Sequence, residues 1–252
     1  MKQRVNNPLG FLSGSTLKII ACILMAVDHV GYFLFPRLII LRIIGRVSMP
    51  IFAFFIAEGC YYTKNKLNHF LLIFGLGAIC QTVMFLAGEK LLNILLLFSV
   101  SELYIYLTQL LKKMIFKYKP KILLILTSIV IFLILLIPGK LLFDNFNFDY
   151  GFETMLLPVI ISLFDLRKYT DKKWVVYFDN LWMRIALMAI GLFPVCYTYR
   201  HVKIQWFSYL ALLPILFYNG KVGNKKLKYF FYLFYPIHIV IILAIFVIIN
   251  FL

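Results

Sequence analysis

Residues 229–251 have the sequence YFFYLFYPIHIVIILAIFVIINF, a run of 23 residues that contains no Asp, Glu, Lys or Arg. As an α-helix this run would be about 35 Å long, at roughly 1.5 Å per residue. That length exceeds the hydrocarbon core of a bilayer, which is about 30 Å thick. The run therefore predicts a transmembrane helix.

The remainder of the chain has the same apolar character. Of its 252 residues, 63% are hydrophobic and 14% are charged, whereas a soluble domain is about 45–50% apolar and about 25% charged. An aromatic content of 18% argues against disorder, and no repeat period supports a coiled coil or a collagen helix. We therefore predict an all-α, polytopic membrane helix bundle that forms one integral membrane domain over residues 1–252.

Long apolar runs separated by charge clusters predict about nine transmembrane helices. They lie at approximately 17–35, 39–60, 68–87, 91–111, 121–137, 151–166, 182–199, 206–219 and 229–251. The sixth and eighth are short, which is typical of a re-entrant or tilted segment. The first ends in Phe35, Pro36 and Arg37 rather than at a small-residue cleavage site, so we expect it to stay in the protein.

The net charge of +16 predicts the orientation of the bundle. In a membrane protein, Lys and Arg collect in the cytoplasmic loops. With the N-terminus in the cytoplasm, the inner segments hold 17 of these residues and the outer segments hold five, or seven if Arg42 and Arg46 are counted there. Nine spans with the N-terminus inside and the C-terminus outside satisfy this rule at every inner loop. Because topology accounts for the charge, we expect no nucleic-acid partner.

Charged residues inside the first two spans suggest a functional site, because each costs at least about 2.5–3.5 kcal/mol at mid-bilayer. Asp28 and His29 lie in span one, and Arg42 and Arg46 lie in span two. If the turn centres on Arg37, Asp28 and Arg46 are both roughly 13 Å below it. We expect Asp28 and Arg46 to pair. The alternative is a purely structural ion pair between two helices.

Two histidines are expected at a similar depth. His29 points about 100° away from Asp28 around the helix, and a neutral imidazole there can accept a proton as a general base. His238 lies about 15 Å into the last span when counted from Lys228, and Tyr235 shares its face. The alternative is that both histidines only pack against neighbouring helices.

Further polar residues lie within or beside the predicted spans. Glu102 is expected near mid-depth, and Glu58 near the inner end of span two, where a simple interfacial carboxylate is an equal alternative. Asp149 and Glu153 flank the outer mouth of span six. Asn93 is either a helix start or a donor in a pocket.

The cysteines and the other two histidines predict no metal site. All four cysteines lie in apolar runs without metal-ligand spacing, so we expect buried, inert thiols: Cys22, Cys60, Cys80 and Cys196. His69 and His201 lie beside loops and are expected to be solvated.

Five segments, taken in order, resemble the TraX family of integral membrane proteins almost from end to end. They are LKIIACILMAVDHVGYFLFP, LRIIGRVSMPIFAFFIAEGCYYT, LLNILLLFSVS, DYGFETMLLPV and KKLKYFFYLFYPIHIV. No single segment is specific, but their order and spacing are. The residues that match the motifs of the family by position are Asp28, His29, Arg46, Glu58 and His238.

The resemblance implies an acetyltransferase of the bacterial plasma membrane that uses acetyl-CoA as donor. The family takes its name from a conjugation protein that acetylates the amino terminus of pilin, and it resembles membrane acyltransferases that use acyl-CoA. Members commonly continue D-Y-G with another glycine, whereas this chain has Phe152, Glu153 and Thr154. We therefore do not carry pilin over as the acceptor, which is expected to be a membrane-associated peptide, lipid or glycan.

Acetyl transfer needs a base and a stabilised oxyanion. We predict His29 as the general base, with His238 sharing or taking that role, and Asp28 and Arg46 holding the site, with Arg46 near the oxyanion. Contacts with the CoA thioester are assigned to Arg42, Glu58, Tyr235 and Asn93. Contacts with the acceptor are assigned to Asp149, Tyr150, Glu153 and Glu102. No metal is expected to take part.

Two other functions are compatible with the same residues. A transporter or lipid flippase would use Asp28, His29 and Arg46 as a polar pathway, although no inverted repeat is visible in the sequence. A non-enzymatic membrane partner in secretion or conjugation would use both histidines only for packing. Binding of a CoA species from the inner side distinguishes the enzyme from both.

Overall fold

The structure is a computed structural model that describes residues 7–86, 88, 90–117, 122–146, 148, 150–199 and 203–251. Within these residues the regular structure is entirely helical, as predicted. The α-helices are α1 (Gly14–Phe33), α2 (Ile39–Gly45), α3 (Ser48–Tyr62), α4 (Lys66–Leu86), α5 (Ile94–Lys117), α6 (Ile122–Asn145), α7 (Gly151–Ile161), α8 (Val175–Phe178), α9 (Leu181–Thr198), α10 (Leu212–Leu216) and α11 (Lys228–Phe251). Two 3-10 segments, Lys203–Ala211 and Lys225–Leu227, lead into α10 and α11.

Six helical segments in the described part of the chain are long and apolar enough to cross a membrane. They are Gly14–Phe33, Ile39–Tyr62, Lys66–Leu86, Ile94–Lys117, Leu181–Thr198 and Lys225–Ile249. The predicted sixth and eighth spans coincide with shorter apolar helices, Gly151–Ile161 and Lys203–Leu216. The membrane helix bundle is thus supported, while the number of nine spans and their orientation stay predictions.

The first helix is fastened to the segment that precedes the last one. Ser13 caps α1, because its Oγ accepts a hydrogen bond from the Thr16 amide at 3.2 Å. The Gly14 amide donates to the Lys221 carbonyl at 2.8 Å. Gly223, with φ at +79°, lies so close to Ser13 that a side chain there would overlap with it. These contacts place the start of α1 beside the start of α11.

Two glycines allow α1 and α2 to pack closely. A Cβ atom on Gly31 would lie 2.7 Å from the Cβ of Leu41, and one on Gly45 would overlap with Asp28. The second span is interrupted after Gly45, and α3 resumes at Ser48. As a result Asp28 lies directly against the segment that carries the arginines of the second span.

Helix α3 forms the centre of the bundle and packs against α1, α5 and α7, while α11 packs against α1 and α4. The buried side chains of α3 include Ile51, Phe54 and Cys60. All four cysteines are buried and free, as the sequence predicted. In α11, exposed apolar residues such as Leu233, Ile237 and Ile241 face away from the bundle, which is the surface that a lipid environment favours.

Candidate active site

A carboxylate lies between two guanidinium groups where α1 meets the second span. The Oδ2 atom of Asp28 is 2.6 Å from Nη1 of Arg42, and its Oδ1 atom is 3.4 Å from Nη2 of Arg46. The predicted pairing of Asp28 with Arg46 is present, but the shorter contact is made by Arg42. Both Asp28 and Arg46 are buried. Two guanidinium groups and one carboxylate therefore meet at this point of the described structure.

Arg46 connects this cluster to the start of α7. Its Nη1 atom donates a hydrogen bond to the Tyr150 hydroxyl at 2.8 Å. Tyr150 occupies the position just before α7, in the segment that the sequence analysis assigned to the acceptor. Arg42 lies over the ring of Tyr32, with its Cζ 4.9 Å from the ring centroid. Both guanidinium groups are therefore held by an aromatic residue as well as by Asp28.

The two histidines of the first and last helices contact each other. The Nδ1 atom of His29 is 2.8 Å from the Nε2 atom of His238. The Nδ1 atom of His238 is in turn 2.7 Å from the carbonyl oxygen of Phe234, one turn earlier in α11. Depth counting along the helices predicted that the histidines would share a layer, and the structure joins them by a hydrogen bond.

This hydrogen-bond chain determines where the protons of the two neutral histidines lie. The Phe234 carbonyl can only accept, so His238 must carry its proton on Nδ1. Its Nε2 atom is then an acceptor, and His29 must donate from its own Nδ1. Nε2 of His29 is left with a lone pair, and it makes no hydrogen bond to any described residue. That atom is the basic nitrogen of the pair.

Two cavities meet at His29. The larger, about 160 Å³, extends from Asp28 and His29 to Lys18 and His69. The smaller is lined by Asp28 and His29 together with Tyr32 and residues at the opposite end of α1. A single buried water needs only roughly 10–15 Å³, so the larger cavity has room for a ligand. His29 is therefore accessible from two sides.

Two further predicted residues line these cavities. Tyr235 borders the larger one, with its ring centroid 6.5 Å from that of His29. Tyr150 borders both. The structure thus gathers seven of the predicted site residues in one place: Asp28, His29, Arg42, Arg46, Tyr150, Tyr235 and His238.

Glu58 is not part of this group. It is buried, and it forms an ion pair with Arg184 of α9. The Cζ atom of Arg184 also lies 4.5 Å from the centroid of the Phe54 ring. Glu58 lines neither cavity, so it lies apart from the group around His29, and its predicted contact with CoA stays a prediction. Arg184 was not predicted as an important residue, because the sequence marks it only as a single charge inside an apolar span.

Asn93 acts as the start of α5 rather than as a donor in a pocket. Its Oδ1 atom accepts from the Leu95 amide at 3.0 Å. Its Nδ2 atom donates to the Gly77 carbonyl at 2.8 Å and to Oε1 of Gln81 at 3.0 Å. These hydrogen bonds use both the oxygen and the nitrogen of the side-chain amide, and Asn93 lines neither cavity. Of the two alternatives, the helix start is correct.

His69 was predicted to be solvated, and this prediction is wrong. Asn65 begins α4 earlier than expected, accepting a hydrogen bond from the Asn68 amide at 3.0 Å. His69 therefore lies one turn inside the bundle, where its Nδ1 atom is 3.0 Å from Oε1 of Glu102. Glu102 is fully buried but lines neither cavity, so the structure separates it from the predicted acceptor side.

The remaining predictions concern the segment before α7 and the loop after α9. Glu153 lies in the first turn of α7 and lines neither cavity. Asp149 and His201 lie outside the described residues.

The model of the TraX protein family matches residues 13–246. An uncharacterized protein from Rickettsia prowazekii (strain Madrid E) is 38% identical over 90 residues, which covers 36% of this chain and about a third (35%) of that relative. The probable fimbrial assembly protein FimC, serogroup H1, from Dichelobacter nodosus is 27% identical over 245 residues, covering 91% of this chain and 94% of that protein. No solved structure matches the chain significantly.

Proposed function

The chain belongs to the TraX protein family, and from this membership we propose that it is a membrane-embedded acetyltransferase. It moves the acetyl group of cytoplasmic acetyl-CoA to an amine or hydroxyl of an acceptor at the membrane. The observation that carries the proposal is the free Nε2 atom of His29, a residue that donates a hydrogen bond to His238 and lines both cavities.

His29 acts as the general base. Its Nε2 atom takes the proton of the acceptor amine or hydroxyl while the nitrogen or oxygen attacks the thioester carbonyl carbon. The imidazolium that forms keeps its Nδ1 proton in the hydrogen bond to Nε2 of His238. When the C–S bond breaks, the proton on Nε2 passes to the departing sulfur, and CoA leaves as a thiol. His238 is a positioning residue in this mechanism.

A guanidinium group beside His29 stabilises the oxyanion of the tetrahedral intermediate. Arg42 lines the smaller cavity, whereas Arg46 lines neither cavity and binds both Asp28 and Tyr150. We therefore assign the oxyanion contact to Arg42 in place of Arg46. Arg46 fixes the orientation of Asp28 and of the Tyr150 ring, which borders both cavities.

The donor enters through the larger cavity. Lys18 lies at its far end, eleven residues before His29 on the same helix, which corresponds to roughly 16 Å. A pantetheine arm is a long, narrow chain that suits a cavity of this length. Lys221 and Lys225 lie beside the start of α1 through the Gly14–Lys221 hydrogen bond and the segment that follows. Their charges favour the phosphates of CoA.

The acceptor enters through the smaller cavity from the opposite side. With nine spans, the N-terminus inside and the C-terminus outside, Lys18 faces the cytoplasm and Tyr32 faces the outer leaflet. The resemblance to the TraX family supports a bacterial plasma membrane as its location, where acetyl-CoA is available on the inner side. The name of the Dichelobacter nodosus relative refers to fimbrial assembly, which suggests an exported, membrane-associated peptide as the acceptor.

Thermal unfolding of the detergent-purified protein tests the donor. Because a ligand that binds only the folded state stabilises it by mass action, acetyl-CoA and CoA should raise the melting temperature in a dose-dependent manner. ATP at the same concentration is the matched control, since it carries the phosphates but not the pantetheine arm. Folded protein that shows no shift at millimolar acetyl-CoA, or the same shift with ATP, contradicts the proposal.

One observation also favours the transporter alternative, because a polar group that borders two cavities is what a permeation path requires. His29 and Asp28 both have this property. A transporter needs no CoA binding, so a negative result in the thermal experiment would favour it. Transfer of radiolabelled acetyl groups by proteoliposomes would favour the enzyme.

A further inference from the structure

We propose that Cys60, His69 and Glu102 form a binding site for one zinc ion. They come from three different helices, α3, α4 and α5. The Cys60 Sγ atom, a ring nitrogen of His69 and a carboxylate oxygen of Glu102 all lie within 4.8 Å of one another. This inference goes beyond acetyl transfer and does not depend on it.

The environment of Glu102 indicates that a cation belongs beside it. Its side chain is 0% exposed, and neither carboxylate oxygen accepts a hydrogen bond from any described residue. Its Oε1 atom is 3.0 Å from Nδ1 of His69. A buried carboxylate without such bonds is destabilising by several kcal/mol in order of magnitude. A divalent cation between Glu102 and its two neighbours removes that cost.

The donor set selects the metal. A thiolate is a soft ligand, an imidazole is intermediate and a carboxylate is hard, and zinc accepts all three. Calcium and magnesium prefer oxygen ligands alone, so the sulfur of Cys60 disfavours them. The charges of one thiolate and one carboxylate also balance the two positive charges of the ion, which suits a site inside an apolar bundle.

Neighbouring groups support the ligands. With Nε2 of His69 as the ligand atom, the Nδ1–H of the same ring can donate an outer hydrogen bond to the Tyr106 hydroxyl, 3.3 Å away. The Nε2 atom of Gln109 donates to the backbone carbonyl of Cys60 at 3.1 Å and so fixes the end of α3. Both residues belong to α5, the helix that carries Glu102. A zinc ion there would tie three helices together.

Three protein ligands leave a fourth tetrahedral position for water or another small ligand. His69 lines the larger cavity, so this position is close to a route by which ions can enter. No metal was expected from the sequence, where the cysteines lack metal-ligand spacing. The three ligands are separated by 9 and 33 residues, a spacing that matches no recognised metal motif. Only the packing of α3, α4 and α5 brings them together.

Metal analysis and cobalt spectroscopy test the proposal without acetyl-CoA. We expect tag-free, full-length protein purified without chelators to contain roughly one zinc per chain. After chelation, titration with Co²⁺ alone should produce a thiolate-to-cobalt charge-transfer band. The band should be absent in C60S, and the cobalt affinity should fall about 10-fold or more in E102Q and H69N. C80S removes another buried thiol and should leave the band unchanged.

Three results would overturn the proposal: no charge-transfer band in folded wild-type protein, a band that persists in C60S, or unchanged cobalt affinity in E102Q and H69N. Gel filtration establishes which variants are folded. If C60S does not fold, the titrations of the other two variants decide. Loss of acetyl transfer with normal cobalt binding would count against the proposed function and not against the metal site.

Discussion

His29 and His238 are 209 residues apart in the chain, yet Nδ1 of the first lies 2.8 Å from Nε2 of the second. Their rings are nearly parallel, with an interplanar angle of 17° and centroids 5.0 Å apart. The Phe234 carbonyl accepts from His238 at the far end. The hydrogen bonds among these three groups leave one nitrogen lone pair unused, on Nε2 of His29, the histidine that lines the cavities.

The first prediction concerns His29. We expect H29A to lower kcat for acetyl transfer at least about 100-fold, because general-base catalysis contributes roughly 10²–10⁴-fold. The measurement is the transfer of radiolabelled acetyl groups from acetyl-CoA in proteoliposomes. I23A, at an exposed position of the same helix, is the matched control and should retain full activity. Undiminished transfer by folded H29A would remove His29 from the mechanism.

The second prediction separates the roles of the two histidines. H238A should lower kcat about 10-fold while KM for acetyl-CoA stays unchanged, because the base persists but loses the acceptor that orients it. H238Q should recover part of the activity, since its amide oxygen can accept from Nδ1 of His29. I237A changes the exposed neighbour and should have no effect. Equal losses in H238A and H29A would instead assign His238 a direct role in the chemistry.

The third prediction concerns the charge cluster. D28N removes the negative charge that lies between the guanidinium groups of Arg42 and Arg46, so the free energy of unfolding should fall by about 3–5 kcal/mol. Adding R42Q to D28N removes one of the two guanidinium groups that contact residue 28, and should restore part of the lost free energy of unfolding. Chemical or thermal unfolding in detergent measures both. If the loss of unfolding free energy in the double variant equals the sum of the losses in D28N and R42Q measured separately, the two groups do not interact.

The fourth prediction concerns the ion pair between Glu58 and Arg184. R184M removes the arginine that pairs with the buried Glu58 carboxylate and should destabilise the protein by about 3–5 kcal/mol. The combined change E58L and R184M removes both charges, so its stability should approach that of the wild type. Because neither residue lines a cavity, the folded double variant should retain acetyl transfer. A double variant that is stable but inactive would show that Glu58 or Arg184 takes part in acetyl transfer, as first predicted for Glu58.

The fifth prediction compares two glycines. G45A should reduce both stability and activity, because the new methyl group would overlap with Asp28 and separate α1 from α2. G75A lies in α4 with no atom within 4 Å of the added carbon. It should stabilise the protein by about 0.5–1 kcal/mol, as alanine does relative to glycine in helices. Equal effects of the two changes on melting temperature would contradict this account.

The sequence was sufficient to predict the all-helical fold class and the depth of several site residues along their helices. Apolar runs identify membrane helices because a bilayer requires a minimum length. Counting 1.5 Å per residue from a shared turn correctly paired Asp28 with Arg46. The same counting placed His29 and His238 at a similar level. Such counting depends only on local geometry.

Contacts that depend on rotation and distant packing were missed. The stronger partner of Asp28 is Arg42, one turn from Arg46, and depth alone does not determine which turn faces α1. Glu58 pairs with Arg184 from a distant helix, and no local pattern encodes that choice. His69 entered the bundle because Asn65 starts α4 before the apolar run begins. These features follow from how the helices pack together.

The position of His29 on the first helix and His238 on the last also has a consequence for biogenesis. A ribosome adding roughly 5–20 residues per second takes about 10–40 s to synthesise the chain between them. During that interval α1 is already in the membrane without its partner. Because the contact between His29 and His238 forms only once α11 is inserted, the proposed enzyme is expected to reach its full transfer rate only when insertion of the whole chain is complete.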